Sequence, residues 1–175
     1  MHKIIALLLV VGSLFGCAAP ATQQAMIINK SDVNITESQK SKLKGSVEVI
    51  NVSGGKETNP LWTSQVDSKT FKGALEDSLT MVGYRAQDKN PKFKIDAHLL
   101  ELDQPLFGLT FSVKSNVNYT VNYGEKSQVI PVRAVGEATP SDAFMAIERL
   151  KIANERAISE NIKAFILKFS ETFGN

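Results

Sequence analysis

The chain has one cysteine in 175 residues, two histidines and one tryptophan. A lone cysteine excludes an intramolecular disulfide and any multi-cysteine metal site. The folded part must therefore be held by its apolar core, which a chain of this length can bury. His2 lies at the extreme N-terminus, so His98 alone remains for acid–base or metal chemistry. Metal binding would rest on one imidazole and scattered carboxylates, a poor donor set. Asp96 shares a polar strand face with His98, and an enzyme centred on that pair is one reading; a solvated pair is the simpler one. A hydrolytic triad would need a serine brought to His98, and no nucleophile-elbow pattern supplies it. Gly54-Gly55-Lys56 lacks the first glycine of a phosphate-binding loop, and Glu57 replaces its Ser/Thr. The formal net charge is only +2, so no overall field steers the chain towards nucleic acid. The expectation is a protein without catalytic residues, cofactor or metal.

What is present begins at the N-terminus. Met1-His2-Lys3 is a short positive start, Ile4 to Val11 is an unbroken apolar run, and small residues follow. This is the layout of a signal peptide over 1–16, too short for a confident membrane-spanning helix. Leu14-Phe15-Gly16-Cys17 resembles the lipobox of bacterial lipoproteins, with Phe15 where a small residue is commoner. The competing reading is ordinary cleavage near Ala18-Ala19 with Cys17 discarded; lipidation is favoured because a cysteine there has no other evident use. The lipobox resemblance implies a diacylglyceryl thioether on Cys17 and an acylated (palmitate-type) amino terminus. Several such chains anchor stably where one is marginal. Ala18 stands where an inner-membrane retention signal would be Asp, which by analogy points to the outer membrane, facing the periplasm.

Residues 17–42 are rich in Ala, Thr, Gln, Ser, Asn and Lys and read as a tether, with Ala25-Met26-Ile27-Ile28 as a possible edge strand over 25–29. A single domain is expected over 43–175. Ser46 to Val52 alternates weakly on both faces, as a strand partly covered on each side. Asp67 or Ser68 can cap a helix to Val82, stopped by Gly83, with Phe71, Ala74, Leu75, Leu79 and Val82 on one stripe. Lys92 to Leu102 forms a strand with Phe93, Ile95, Ala97 and Leu99 inward; Leu100 and Leu102 break the pattern. Odd positions from Leu109 to Tyr123 are apolar, interrupted only by Ser115, and even positions are polar, as in an antiparallel sheet with one wet face. A further strand spans about 128–138, where Pro131 indicates an edge or bulge. Thr139-Pro140-Ser141-Asp142 predicts the start of a helix running to Phe173, long enough to overhang the sheet or break. Asn154 and Asn161 lie on its apolar side, as ligand-binding amides or as bonds that fix its register.

The fold class expected is α+β: an antiparallel sheet of four or five strands with two helices on one face, the second long and C-terminal. Clustered apolar residues at the hairpin tip, Leu100, Leu102, Leu106 and Phe107, are candidate partner contacts unless the long helix covers them. Trp62, in the Asn59-to-Trp62 loop, is packed beside the first helix or is a further contact. Gly54 to Trp62, Leu102 to Leu109, and Ser141 to Phe144 with Glu148 to Glu155 resemble a group of small proteobacterial outer-membrane lipoproteins. In architecture the chain is similar to YajG, LptE and PqiC-type lipoproteins. The resemblance implies a role in outer-membrane biogenesis or transport and supplies no catalytic residue. The leading expectation is a non-enzymatic accessory or assembly factor, held to the membrane by its N-terminal lipid, that binds an envelope protein or component. The alternative is a lipid- or glycan-binding transport module with a pocket between the sheet and the long helix.

Overall fold

A computed structural model describes residues 18–60, 63–87 and 90–175. Its elements are α1 (Gln23–Met26), α2 (Glu37–Leu43), β1 (Val47–Ser53), α3 (Ser68–Met81), β2 (Phe93–Asp103), β3 (Phe111–Tyr123), β4 (Lys126–Ala138) and α4 (Ala146–Phe173). One four-stranded sheet has the order β1-β2-β3-β4, with α3 and α4 on one face. The two-layer α+β architecture matches the sequence reading. The sheet is mixed, however: β2, β3 and β4 are antiparallel, whereas β1 runs parallel to β2. The intervening α3 carries the chain back to the starting end, as parallel neighbours require.

Two bulges explain the irregular strand patterns. The β1–β2 register shifts between Val49 and Asn51, and the β2–β3 register between Leu99 and Glu101. Each inserts one residue and reverses the inward parity. Val47, Val49 and then Val52 are therefore buried, and Ile50 is pushed outward. The two-sided covering expected for β1 is thus a bulge on a one-sided strand. In β2, Phe93, Ile95, Ala97 and Leu99 point inward, Leu100 turns out, and Leu102 packs back against the core.

Asp67 caps α3 by accepting from the Thr70 amide, and Gly83, at φ 81°, ends the turn beyond it. The long helix begins later than its sequence suggests. The Asp142 carboxylate accepts from the Thr139 amide and hydroxyl, closing 139–142 as a turn outside the helix. Its 28 residues extend about 42 Å. A 13-residue strand such as β4 extends about 44 Å, so the helix neither breaks nor overhangs. Gly136 sets how closely they approach: a Cβ there would lie 2.1 Å from the Ala157 amide nitrogen and 2.4 Å from the Ala153 oxygen.

The expected tether is part of the fold. Met26, Ile28, Val33, Ile35 and Leu43 are buried in the main core. No strand forms at 25–29; Gln23–Met26 is a helical turn, and Thr36 opens α2 with a reciprocal capping box to Gln39. The segment bonds to both large helices. Gln23 Nε2 reaches Asp77 at 2.6 Å, and the Ile28 amide reaches Ser78 Oγ at 3.3 Å. On α4, the Thr22 amide reaches Glu155 at 2.8 Å, and Gln39 Nε2 reaches the Ser170 oxygen at 3.3 Å. A few buried apolar residues among many polar ones were enough to dock it, which overall polarity conceals.

Candidate functional site

The sheet topology collects the C-terminal ends of β1, β2 and β4 at one end, with the starts of β3 and α4. Three connections meet there: 54–67, 104–110 and 139–145. Gln104 ties the first two together. Its Nε2 donates to the Ser64 oxygen (2.9 Å) and Asn154 Oδ1 (2.8 Å), and its Oε1 accepts from Thr63 Oγ1 (3.0 Å) and Gln65 Nε2 (3.2 Å). Asn154 Nδ2 donates to the same Ser64 oxygen at 3.0 Å. Below the third connection, Arg149 is buried. Its Nη1 donates to the Ala143 and Phe144 oxygens at 2.9 and 2.6 Å, and its guanidinium lies 5.6 Å from the centre of the Phe111 ring. Polar side chains thus fix the bases of these loops.

The tips of the second and third are apolar and bare. Leu106, Phe107 and Leu109 are 94, 86 and 76 % exposed, and Phe144 is 96 % exposed. Among the described residues these four are the large apolar side chains most open to solvent. Leu109 therefore belongs to a loop and not to the inward row of β3. The first described residue lies at this end too: the Ala18 amide donates to the Pro60 oxygen at 2.8 Å, and the Ala21 amide to the Gln65 oxygen at 3.1 Å.

The expected contact residues are accordingly divided. Leu106 and Phe107 stand at the tip, Leu100 lies on the sheet's open face, and Leu102 is half-buried against the core. The hairpin tip is uncovered by α4. Trp62 and Cys17 lie outside the described residues. Phe144 escaped the sequence reading because it was assigned to a helix; its position after a Pro-Ser-Asp turn was the available signal.

The sheet's open face carries Asn116, Asn118, Arg133, Val135 and Pro131. Two shallow grooves run across it, of about 410 Å³ beside Glu101, Lys114 and Arg133, and about 430 Å³ beside Leu100, Asn118 and Lys168. Among the described residues the layer between the sheet and the long helix is filled and leaves no pocket. Ala153, Ala157, Ile158, Ile162, Phe165 and Phe169 have no exposed surface, and Tyr119 stacks on Phe165 with centroids 3.9 Å apart. Burial also pushes the Tyr119 hydroxyl well above the ordinary phenol pKa. Asn154 and Asn161 spend their amides on the protein. Asn161 Oδ1 accepts from Tyr119 (2.9 Å), while its Nδ2 donates to Ser115 Oγ (3.1 Å) and the Val132 oxygen (3.2 Å). They join layers across long sequence separations, beyond the neighbouring backbone groups expected of them.

A serine does reach His98: Ser53 Oγ lies 2.8 Å from Nδ1. Parallel pairing of β1 with β2 sets Ser53 opposite His98, which could not be read before the strand order was known. Asp96 accepts instead from Asn122 Nδ2 at 3.2 Å. His98 is exposed, and no carboxylate among the described residues bonds its other nitrogen, so the pair lacks the orienting group of a triad. Among the described residues no cluster of three metal-ligating side chains occurs, and no helix is long and apolar enough to cross a membrane.

No family model and no curated protein matches the sequence. Among solved structures, a Caulobacter crescentus protein described as a "putative lipoprotein" is similar, with a TM-score of 0.52 and 14 % identity, covering 78 % of this chain and 96 % of that one. Protein XCC0632 from Xanthomonas campestris, described under DUF330, is similar with a TM-score of 0.55 and 10 % identity, covering 88 % of this chain and 95 % of that one. At these identities the likeness establishes a shared fold over most of the chain, the α+β sheet with its long C-terminal helix.

Proposed function

We propose that the chain is a bacterial lipoprotein, acylated at Cys17, that works at the outer membrane facing the periplasm as a non-enzymatic accessory or assembly factor. Its partner is an envelope protein or component, bound on the open face of the sheet around Leu100, Asn116 and Arg133. The bare sheet face carries this reading. A mixed sheet with one face packed and the other lined by asparagines, an arginine and a turned-out leucine offers polar and apolar contacts together, as interface rims and cores do. The lipobox-like Leu14 to Cys17 and the lipoprotein description of a structural neighbour support the anchor. The unoriented Ser53–His98 pair and the filled layer interface favour binding over catalysis or enclosed transport.

Palmitate labelling and membrane fractionation of wild type beside Cys17→Ala test the anchor; label and membrane association should both be lost in the variant. A photocrosslinking residue at Leu100 or Asn116 in intact cells tests the partner surface. One discrete adduct is expected, and recovery of the protein only alone would overturn the accessory role.

A further inference from the structure

We infer that the loop end docks directly on the bilayer surface that holds the Cys17 acyl chains, with Leu106, Phe107, Leu109 and Phe144 set into its interfacial layer; this rests on the anchor proposed above. A polar segment after a lipidated cysteine ordinarily leaves the domain free to wander. Here there is no slack. Ala18 is hydrogen-bonded to Pro60, Ala21 to Gln65, and Thr22 to the buried Glu155 carboxylate. Cys17 directly precedes the docked Ala18, and consecutive Cα atoms are about 3.8 Å apart. Acyl chains attached there emerge beside Pro60, at the end of the domain where the bare apolar tips lie.

Two hydrogen-bonded steps join that exit to the first tip. Asn59 and Thr63 exchange backbone bonds around Pro60 (both 3.1 Å), and Thr63 Oγ1 donates to Gln104, two positions before Leu106. The second tip follows β4, two strands from β2, a lateral step of about 10 Å. Leu106, Phe107 and Leu109 therefore share one end with Phe144. Free in water, four nearly naked large apolar residues form the kind of patch that marks a contact site. Arg149 and Gln104 hold both loop bases, so the tips are presented and do not fold back. The occupant is a lipid surface because the chain outside the described residues begins at this end, at the proposed acylation site. Of the cations nearby, Lys114 pairs with Asp103 (3.8 Å), Arg156 with Asp142 (2.6 Å) and Lys151 with Glu148 (3.2 Å), whereas Lys56 and Lys69 have no ion pair among the described residues. The tips themselves, Leu106 to Thr110 and Ala143 to Met145, carry no charged side chain, so the contact is apolar insertion.

The test uses the mature protein acylated at Cys17, in vesicles of phosphatidylethanolamine and phosphatidylglycerol. An environment-sensitive dye is attached at Phe107→Cys, or at Val129→Cys on the open sheet face as the reference. At position 107 the emission should move to shorter wavelength. Shallow nitroxide-labelled lipid should quench it roughly twofold, as for a group about 5–10 Å into the interface; position 129 should be unaffected. A water-like signal at 107 on vesicle-bound acylated protein overturns the inference and leaves the anchor standing. An apolar signal that appears only after envelope proteins are added also overturns it, in favour of a protein on this end. Absence of acyl groups on Cys17 removes the anchor, and the inference falls with it.

Discussion

Asn161→Leu isolates what a buried amide contributes between the layers. Leucine has a similar size and keeps the apolar contacts of α4, but it removes the two amide hydrogens shared among Ser115 Oγ, the Ser115 oxygen and the Val132 oxygen, and the acceptor of the Tyr119 hydroxyl. Ser115 retains its 2.9 Å bond to the Ala157 oxygen, so its hydroxyl is not stranded. The Tyr119 hydroxyl is: the side chain is fully buried and stacked on Phe165. Two lost bonds at about 1 kcal/mol each, with about 1–3 kcal/mol for the unpaired hydroxyl, give a loss of roughly 3–5 kcal/mol. For a domain of this size that lowers Tm by about 6–20 °C. Urea unfolding followed by circular dichroism should show the change in midpoint with an unaltered slope. Adding Tyr119→Phe removes the stranded hydroxyl. The double variant should therefore be about 1–3 kcal/mol more stable than the two single losses predict. Additivity within about 0.5 kcal/mol, or a single-variant loss below about 1 kcal/mol, would refute the assignment of Asn161 as the tie between layers.

Gly136→Ala should cost at least about 1–3 kcal/mol in the same assay, because its Cβ meets α4 backbone atoms that no rotamer change can move; wild-type stability would remove Gly136 as the spacer. Glu155→Gln should weaken N-terminal docking, so amide exchange at Thr22 should accelerate while the β3 amides keep their protection. Unchanged exchange at Thr22 would mean that Glu155 does not hold it. Burial raises the Asp67 pKa, but hydrogen bonds from the Thr70 hydroxyl and amide outweigh it and hold the carboxyl below its ordinary range. A depressed folded pKa gives stability that is present above the unfolded value and lost as pH falls through the folded one. Asp67→Ala should thus cost about 1 kcal/mol at neutral pH and much less in acid, by urea titration at both pH values; an equal cost at both would refute the cap's charge dependence.

The sequence shows more of the strands and helices than of their assembly. The inward row of β3 and the stripe of α3 were legible because period 2 and period 3.6 survive wherever one face is buried. The bulges at Ile50 and Leu100 blurred that signal. They reverse parity inside a strand, and a single chain then looks half apolar on both faces. The parallel pairing of β1 was hidden for another reason. Local pattern distinguishes buried from wet faces, but strand direction depends on whether the connection lies over the sheet. The N-terminal segment misled by composition: seven in ten of its residues could be solvated while Met26, Ile28 and Leu43 filled a groove. At the candidate site, Leu106 and Phe107 were visible as apolar residues beside a turn. Phe144 was not, because its exposure depends on where α4 starts, and that depends on a turn closed by Asp142.

The docked N-terminus changes what the proposed anchor would accomplish. On a flexible leash, acyl chains fix only a distance from the membrane, and every face of the domain can meet a partner. On a segment bonded through Ala18, Ala21 and Thr22, they fix an orientation as well. If the loop end rests on the bilayer, β1 to β4 rise away from it and the open sheet face stands sideways to the membrane plane. Leu100, Asn116 and Arg133 would then be offered near the surface, to a partner that approaches along the membrane. Loosening the N-terminal dock should therefore impair partner contact without touching that face. Glu155→Gln, whose side chain lies on the opposite side of the sheet, should weaken a Leu100 or Asn116 photocrosslink while leaving Cys17 labelling intact. Undiminished crosslinking with Thr22 demonstrably undocked would show that the anchor sets location alone.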